Sequence, residues 1–194
     1  MTTNNDQYYI DSVCAGNTNN FSFLVERYKD MVYTLAIRMV KNREEAEEIA
    51  QDAFIKAFSS LAKFKGDSKF STWLYKITYN LSIDSLKKQK RLVKSDLVDE
   101  INEGNLGLEQ DVLFIIESKE RKQVIEQALY LLSEDDRVII TLFYFEELSL
   151  QEISDIIGVK ANAVKVKLFR SRKKLYDLLK NKTEILDVKN YGRR

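Results

Sequence analysis

The residues of this chain that most clearly point to a binding function are a dense group of cations late in the sequence. Between residues 160 and 174 there are seven basic side chains and no acidic one. A basic helix of this kind can place its first residues against base edges in a major groove and its later cations on phosphates. A solvated basic face is the alternative interpretation. The cations are Lys160, Lys165, Lys167, Arg170, Arg172, Lys173 and Lys174.

The stretch just before these cations favours the nucleic-acid interpretation. Ser149 and Glu152 have the spacing of a capping box that opens a short helix, and Gly158 is suited to end it. We expect the following basic helix to run from about Lys160 to Leu179. A short helix, a glycine turn and a longer basic helix are typical of a helix-turn-helix.

A second set of residues combines aromatic rings with cations. Aromatic faces can stack on unpaired bases while cations follow the backbone, which is how proteins bind single strands. Helical spacing supports another interpretation, in which some rings, such as Trp73 beside Ile77, belong to a hydrophobic core. The residues alone leave both interpretations open. The set consists of Phe64, Phe70, Trp73, Tyr75 and Tyr79, followed by Lys87, Lys88, Lys90, Arg91 and Lys94.

A third stretch, EEAEEIAQDAFIKAF, combines carboxylates with an apolar stripe and by itself indicates only an ordinary amphipathic helix. Its adjacent Glu47 and Glu48 point in different directions on a helix, so they do not form a catalytic pair. The sequence contains no P-loop, no GxGxxG and no histidine to partner a nucleophile. We therefore expect a protein that is not an enzyme and has no catalytic residues, cofactor or metal.

Composition narrows the class of protein further. Histidine is absent and Cys14 is the single cysteine, which excludes an intrachain disulfide and a Cys-cluster or His-ligated zinc site. The 31 basic and 30 acidic residues nearly cancel, so any nucleic-acid signal lies in their distribution. No apolar stretch is long enough to span a membrane and the first residues do not resemble a secretory signal. We expect a cytoplasmic protein with no direct membrane insertion.

The elements that must position these residues are predicted to be helices throughout, since proline is absent and glycines fall where periodicity lapses. Apolar spacing predicts helices over 21–40 and from 43 to about 61, with Asn42 and Glu45 at the start of the second. Ser71 or Thr72 would cap a third long helix that ends near residue 92.

The chain is predicted to form two small helical domains. Residues 95–111 contain six carboxylates, two glycines and no cation, which indicates a flexible acidic linker. Helices resume near Phe114, and Ser133 with Asp136 forms another possible capping box. The prediction is thus an all-α fold with domains at 5–92 and 114–182, a linker at 93–113 and a tail at 183–194 that no pattern explains.

Two long stretches of this sequence resemble the sigma-70 family, specifically its extracytoplasmic-function (ECF) group, which keeps only the second and fourth sigma domains. They are AEEIAQDAFIKAFSSLAKFKGDSKFSTWLYKITYNLSIDSLKKQKR and SLQEISDIIGVKANAVKVKLFRSRKKL. The resemblance spans roughly residues 10–180. It implies that the domains are sigma domain 2 and the helix-turn-helix sigma domain 4. It also implies a sigma factor that directs promoter-specific initiation, reading the minus-thirty-five element as duplex and the minus-ten element as melted strand. A conventional helix-turn-helix regulator is the alternative.

The resemblance also implies roles for individual residues. Those that would dock on the clamp helices of the polymerase β′ subunit are Glu48, Gln51, Asp52, Phe54 and Lys56. Those that would open and hold the minus-ten element are Phe64, Asp67, Ser68, Lys69, Phe70, Tyr75, Tyr79, Asn80, Lys87, Lys88 and Arg91. Those that would read the minus-thirty-five element are Lys160, Asn162, Lys165, Val166, Lys167, Arg170, Arg172 and Lys173.

The partners implied by the resemblance are core RNA polymerase, through its β′ clamp helices and β flap, promoter DNA and an anti-sigma factor. No small-molecule substrate is implied. The chain departs from the family where Lys160 and Ala163 replace a common Ser or Pro and a Thr, and where Val166 replaces a small polar residue. A promoter sequence therefore does not carry over.

Overall fold

The computed structural model describes the backbone of residues 6–93 and 116–191 and the side chains of residues 6–89 and 123–180. Within these ranges all regular structure is helical, which confirms the predicted all-α class. Apart from Val93, the predicted linker at 93–113 lies outside the described residues. The helices are α1 (Asp6–Cys14), α2 (Phe21–Val40), α3 (Arg43–Ser60), α4 (Phe70–Val93), α5 (Ile116–Leu131), α6 (Glu134–Ile140), α7 (Leu150–Ile157) and α8 (Ala161–Tyr191).

Their contacts divide these helices into two compact units. The first contains α1 to α4 together with residues 151–159, which include most of α7. The second contains α5, α6 and α8, with a π-helical turn over Thr141–Phe145 that continues α6.

The core of the first unit forms where α2, α3 and α4 pack on one another. Small side chains on α3 allow this close approach, since Ala46, Ala53 and Ala57 are all fully buried. Leu24 on α2 and Leu74 on α4 are buried in the same core. Most of the predicted apolar stripe of α3 thus faces inward, although Phe58 at its end is 43% exposed.

Helix α1 was not predicted from the sequence, and one aspartate ties it to α2. Asp6 pairs with Arg27 and accepts a hydrogen bond of 2.5 Å from the Tyr28 hydroxyl. Burial, followed by the hydrogen bond to Asp6, raises the pKa of Tyr28 well above its ordinary value. The Tyr28 hydroxyl thus serves as a hydrogen-bond donor that links α2 to α1.

The predicted cap of α3 is confirmed, whereas that of α4 is wrong. The Asn42 side chain accepts a hydrogen bond of 3.0 Å from the Glu45 backbone N–H. Helix α4 begins at Phe70, before the Ser71/Thr72 pair that was expected to cap it. Thr72 instead lies 2% exposed within the first turn.

In the second unit, α5 and α6 pack against α8. Ser133 caps α6 as predicted, because its side chain accepts from the Asp136 backbone N–H. The buried residues include Ala128 on α5, Ile139 on α6 and Leu168 on α8. Helix α8 extends to Tyr191, beyond the predicted end near Leu179. Most of the predicted tail at 183–194 is therefore helical backbone.

Candidate nucleic-acid interface

The glycine turn predicted after α7 is present. Gly158 has a φ of +73°, and its N–H donates to the Ser154 carbonyl at 2.9 Å, which ends α7. The Ser154 hydroxyl donates to the Val159 carbonyl at 2.6 Å. The predicted short helix, glycine turn and long basic helix are therefore present in sequence order.

Helix α8 has one buried and one exposed face. Val164, Leu168 and Ser171 form the buried stripe at spacings of four and three residues. The predicted duplex-reading residues lie mainly away from this stripe. Those that are exposed are Lys160, Asn162, Lys165, Val166, Arg170, Arg172 and Lys173, while Lys167 is half-buried.

Two of these cations have contacts within the second unit. Lys167 Nζ lies 3.1 Å from a carboxylate oxygen of Asp135. Arg172 Nη1 lies 3.5 Å from the Tyr144 hydroxyl, a long and weak hydrogen bond. Both cations are thus oriented in part by neighbours on the same unit.

Sequence reasoning missed Phe169, an aromatic residue in the centre of the exposed face. Its side chain is 63% exposed, and the neighbouring Val166 is 50% exposed. Residues 162, 166, 169 and 173 follow helical spacing, so Phe169 shares a face with Asn162 and Lys173. Helical spacing in the sequence therefore already places Phe169 on the face of Asn162 and Lys173.

In the first unit, the loop before α4 presents polar side chains. Asp67, Ser68 and Lys69 are exposed, and Phe64 beside them is half-buried. Gly66 has a φ of +76°, a conformation that favours glycine and allows the sharp turn. The loop therefore has exposed polar side chains, of which Lys69 has a partner, since its Nζ lies 2.9 Å from a carboxylate oxygen of Glu152.

Two aromatic residues of the predicted single-strand site are core residues instead. Phe70 is 3% exposed and Tyr75 is 2% exposed, so neither ring offers a face to a base. Phe70 packs against Phe64 and Trp73, with ring centroids 5.8 and 5.6 Å apart. We correct the prediction accordingly, because α4 needs these rings for packing.

Further along α4 the predicted residues are more accessible. Tyr79 is half-buried, while Asn80, Lys87 and Lys88 are exposed. Arg91 lies in the last turn of the helix, outside the described side chains. Lys76, which was not predicted, is exposed four residues before Asn80 and so lies near it on the same face.

The predicted docking residues on α3 separate into surface and core. Glu48, Gln51, Asp52 and Lys56 are exposed. Phe54 packs against the core, in a T-shaped contact with Phe21 at a centroid distance of 6.5 Å. The structure therefore does not place Phe54 on the same surface as the four polar residues.

Sequence reasoning also missed Ile55, which is 66% exposed. It lies three residues after Asp52 and four after Gln51, so it shares their face of α3. The exposed face of α3 therefore has one large apolar side chain next to polar ones.

Within the described residues, no group of three or more histidine, cysteine or acidic side chains is arranged to hold a metal ion. In the same part of the chain no helix is long and apolar enough to cross a membrane.

Comparison with known proteins identifies the family of both halves of the chain. Residues 24–92 match the family model of sigma-70 region 2, and residues 122–175 match that of sigma-70 region 4. The second match runs without interruption through α7, the glycine turn and the first half of α8. The chain belongs to the sigma-70 family, in its ECF group of RNA polymerase sigma factors.

Similar proteins match over most of their length. The chain is 36% identical over 178 residues to the ECF RNA polymerase sigma factor SigW of Bacillus subtilis (strain 168), an alignment that covers 89% of this chain and 95% of that protein. It is 34% identical over 173 residues to the ECF RNA polymerase sigma-E factor of Escherichia coli (strain K12), covering 86% and 90%.

Solved structures show the same fold. The sigma factor RpoE of Bartonella quintana, in complex with the anti-sigma factor NepR, has a TM-score of 0.70 and 25% identity, covering 83% of this chain and 97% of that one. CnrH, in complex with the cytosolic domain of CnrY, has a TM-score of 0.66 at 22% identity, covering 91% and 97%.

Proposed function

We propose that this sigma factor binds core RNA polymerase and directs promoter-specific initiation, reading the minus-thirty-five element as duplex and the minus-ten element as melted strand. The observation that carries the proposal is the pair of family matches, one on each side of the linker, combined with the exposed basic face of α8. The two sequence domains, 5–92 and 114–182, then have separate tasks on one promoter.

Duplex reading is assigned to the exposed face of α8. Lys165 and Arg170 can donate to guanine edges, while Lys173 and Arg172 can neutralise phosphates. Phe169 adds an apolar surface of the kind that contacts the thymine methyl group in the major groove. The face therefore combines positioning and base readout.

Strand capture is assigned to the loop before α4. With Phe70 and Tyr75 in the core, the polar side chains of Asp67, Ser68 and Lys69 are left to bind an extruded base. Unstacking a base costs a few kcal/mol, which contacts made only to the open strand can offset. A protein that binds the open form more tightly than the duplex favours melting without nucleotide hydrolysis.

Docking on the polymerase is assigned to the exposed face of α3. Gln51 and Asp52 lie one turn before Ile55 on the same face, so an exposed apolar side chain lies beside polar ones. We assign the clamp helices of the β′ subunit to this face and the β flap to the second domain. Phe54 supports the face from the core.

The remaining partners and properties follow from the family. The B. quintana relative is bound to an anti-sigma factor, and we extend this kind of partner to the present chain. The matched relatives are sigma factors, so we assign no enzymatic activity, cofactor or small-molecule substrate and place the protein in the cytoplasm with its polymerase. A conventional helix-turn-helix regulator is not favoured, because that function would not account for the match of residues 24–92 to sigma-70 region 2.

The function is tested by mapping transcription start sites on genomic fragments with core polymerase and this chain. Discrete starts that share upstream sequence and are absent with core alone are expected. Asp52→Ala should require more protein to reach the same yield, whereas the exposed α2 control Glu26→Ala should not. Start sites that do not depend on the added chain would contradict the proposal.

A further inference from the structure

A buried carboxylate joins the start of α6 to the basic helix α8. The Asp136 side chain is 12% exposed, and its oxygens accept hydrogen bonds from three side chains. Ser171 Oγ donates to Oδ1 at 2.5 Å, while Lys174 Nζ and Ser133 Oγ donate to Oδ2 at 2.5 and 2.7 Å. We call these four residues the Asp136 node.

The node is held from both helices. Asp136 lies in the first turn of α6, where the helix dipole favours a negative charge. Burial by itself raises the pKa of the Asp136 carboxyl, but hydrogen bonds from Lys174, Ser171 and Ser133 together outweigh it and lower the pKa. Movement of α8 relative to α6 would leave a buried charge without its donors, which carries a large energetic penalty.

The Asp136 node lies on the side of α8 opposite to the side chains that are proposed to read DNA. Ser171 is fully buried, and Lys173 two residues later is turned about 200° around the axis, at about 100° per residue. Val166 and Phe169 lie on the same outer face as Lys173. Base readout needs side chains held within about 0.5 Å and 10–20°, so a small rotation of α8 is enough to misplace them.

We propose that Asp136 is a positioning residue for duplex reading. Through Ser171 and Lys174 it fixes the rotation of α8 about its axis and its position along that axis, without touching DNA. This inference rests on the proposed function of α8. It gives neighbouring cations different tasks: Lys173 faces the duplex, whereas Lys174 belongs to the node. Both belong to the basic run of residues 160–174, and the contact with Asp136 is what separates Lys174 from its neighbour.

The test compares two node variants, Asp136→Asn and Ser171→Ala, with the matched control Asp135→Asn. Asp135 is adjacent on α6 but exposed, and it pairs with Lys167 at the surface. The probes are a duplex selected from a randomised pool with the full wild-type chain and a shuffled duplex of equal length. Affinities are measured at a temperature where thermal melting shows every variant to be folded, which separates positioning from stability.

We expect the ratio of selected to shuffled affinity to fall about tenfold in Asp136→Asn, comparable to one lost base contact, and by less in Ser171→Ala. Affinity for the shuffled duplex should stay equal or rise in Asp136→Asn, because a carboxylate is lost and Lys174 is released. Asp135→Asn should keep the wild-type ratio.

An unchanged ratio in folded node variants would overturn the proposal and reduce the node to a stabilising contact. A wild-type chain that prefers no duplex would overturn the proposed function of α8 as well, which distinguishes the two failures. If Asp136→Asn does not fold, the affinity ratio of Ser171→Ala tests the proposal by itself, because this variant keeps the carboxylate and removes one of its hydrogen-bond donors.

Discussion

At the scale of single residues, the cations of α8 differ in their contacts within the second unit. Lys167 pairs with Asp135, whereas Lys173 lies on the outer face. Lys173→Ala should lower the slope of log affinity against log salt by about one, as expected for one lost phosphate contact. Lys167→Ala should lower it by less, because Lys167 has to leave Asp135 to reach a phosphate. Duplex binding over a salt series measures both slopes, and equal losses would contradict this division.

Phe169 and Arg170 should act on base identity. Phe169→Ala should reduce the preference for thymine over deoxyuridine at one position of the selected duplex, because deoxyuridine lacks the methyl group. Arg170→Ala should cost about 1–3 kcal/mol at a guanine position if its contact is bidentate. Competition binding with singly substituted duplexes locates both effects. Equal loss on every duplex would assign these side chains to the backbone instead.

On α3, neighbouring residues should separate docking from stability. Asp52→Ala and Ile55→Ala remove exposed side chains and should weaken core-polymerase binding with little change in melting temperature. Phe54→Ala should lower the free energy of unfolding by about 1–3 kcal/mol, below the cost for a fully buried phenylalanine, because the ring is half-buried. Denaturant titration and polymerase binding measure the two properties. Similar losses of stability for Asp52→Ala and Phe54→Ala would show that Asp52 is structural.

Residue type and spacing predicted much of the candidate site, and burial explains the errors. The cations of α8 were singled out by their density in the sequence, whereas the polar loop before α4 was implied by the resemblance to the sigma-70 family. The resemblance implied DNA contacts for Phe70 and Tyr75, while residue type left both a base contact and a core position open, and only packing distinguishes the two. Ile55 and Phe169 were missed for the converse reason, since apolar residues on helices are usually buried.

At the scale of elements, the tie between α3 and α4 should be measurable. The Glu45 carboxylate accepts hydrogen bonds from Ser85 and from Gln89, the latter at 2.6 Å. Glu45→Ala should therefore lower the free energy of unfolding by about 1–2 kcal/mol. Glu44→Ala, which removes an exposed carboxylate from the same turn, is the control. Denaturant titration measures both, and equal effects would mean that the helix dipole, rather than the tie, accounts for the loss.

Helices with regular apolar spacing were predicted well, while their ends were less reliable. The predicted ranges of α2 and α3 agree closely with Phe21–Val40 and Arg43–Ser60, because caps and periodicity indicate the same limits. Helix α1 was missed because it has only nine residues and depends on contacts of Asp6 with α2. The end of α8 was predicted too early, because the residues after Lys180 are mostly polar and show little of the apolar periodicity from which a helix is predicted.

At the scale of the whole molecule, one domain is proposed to bind promoter DNA as duplex and the other to bind it as melted strand. The prediction of this division came from the resemblance and from the acidic composition of residues 95–111, and the two family matches fall on either side of that segment. Composition alone was uninformative, because a net charge of +1 hides the basic face of α8. Function here depends on the distribution of charge, which the net charge cannot report.

The division of tasks is tested most directly by permanganate reactivity of unpaired thymines, on duplex promoters and on promoters premelted across the minus-ten region. The comparison is between holoenzyme assembled from core polymerase and the wild-type chain and holoenzyme carrying alanine at Asp67, Ser68 and Lys69. We expect the loop variant to be recruited to duplex normally and to open it poorly. Premelted DNA should restore most initiation, because it already includes the cost of unstacking. If the loop variant opens duplex promoters as the wild type does, with the same base preference, the loop is only a connection between helices and the account is wrong.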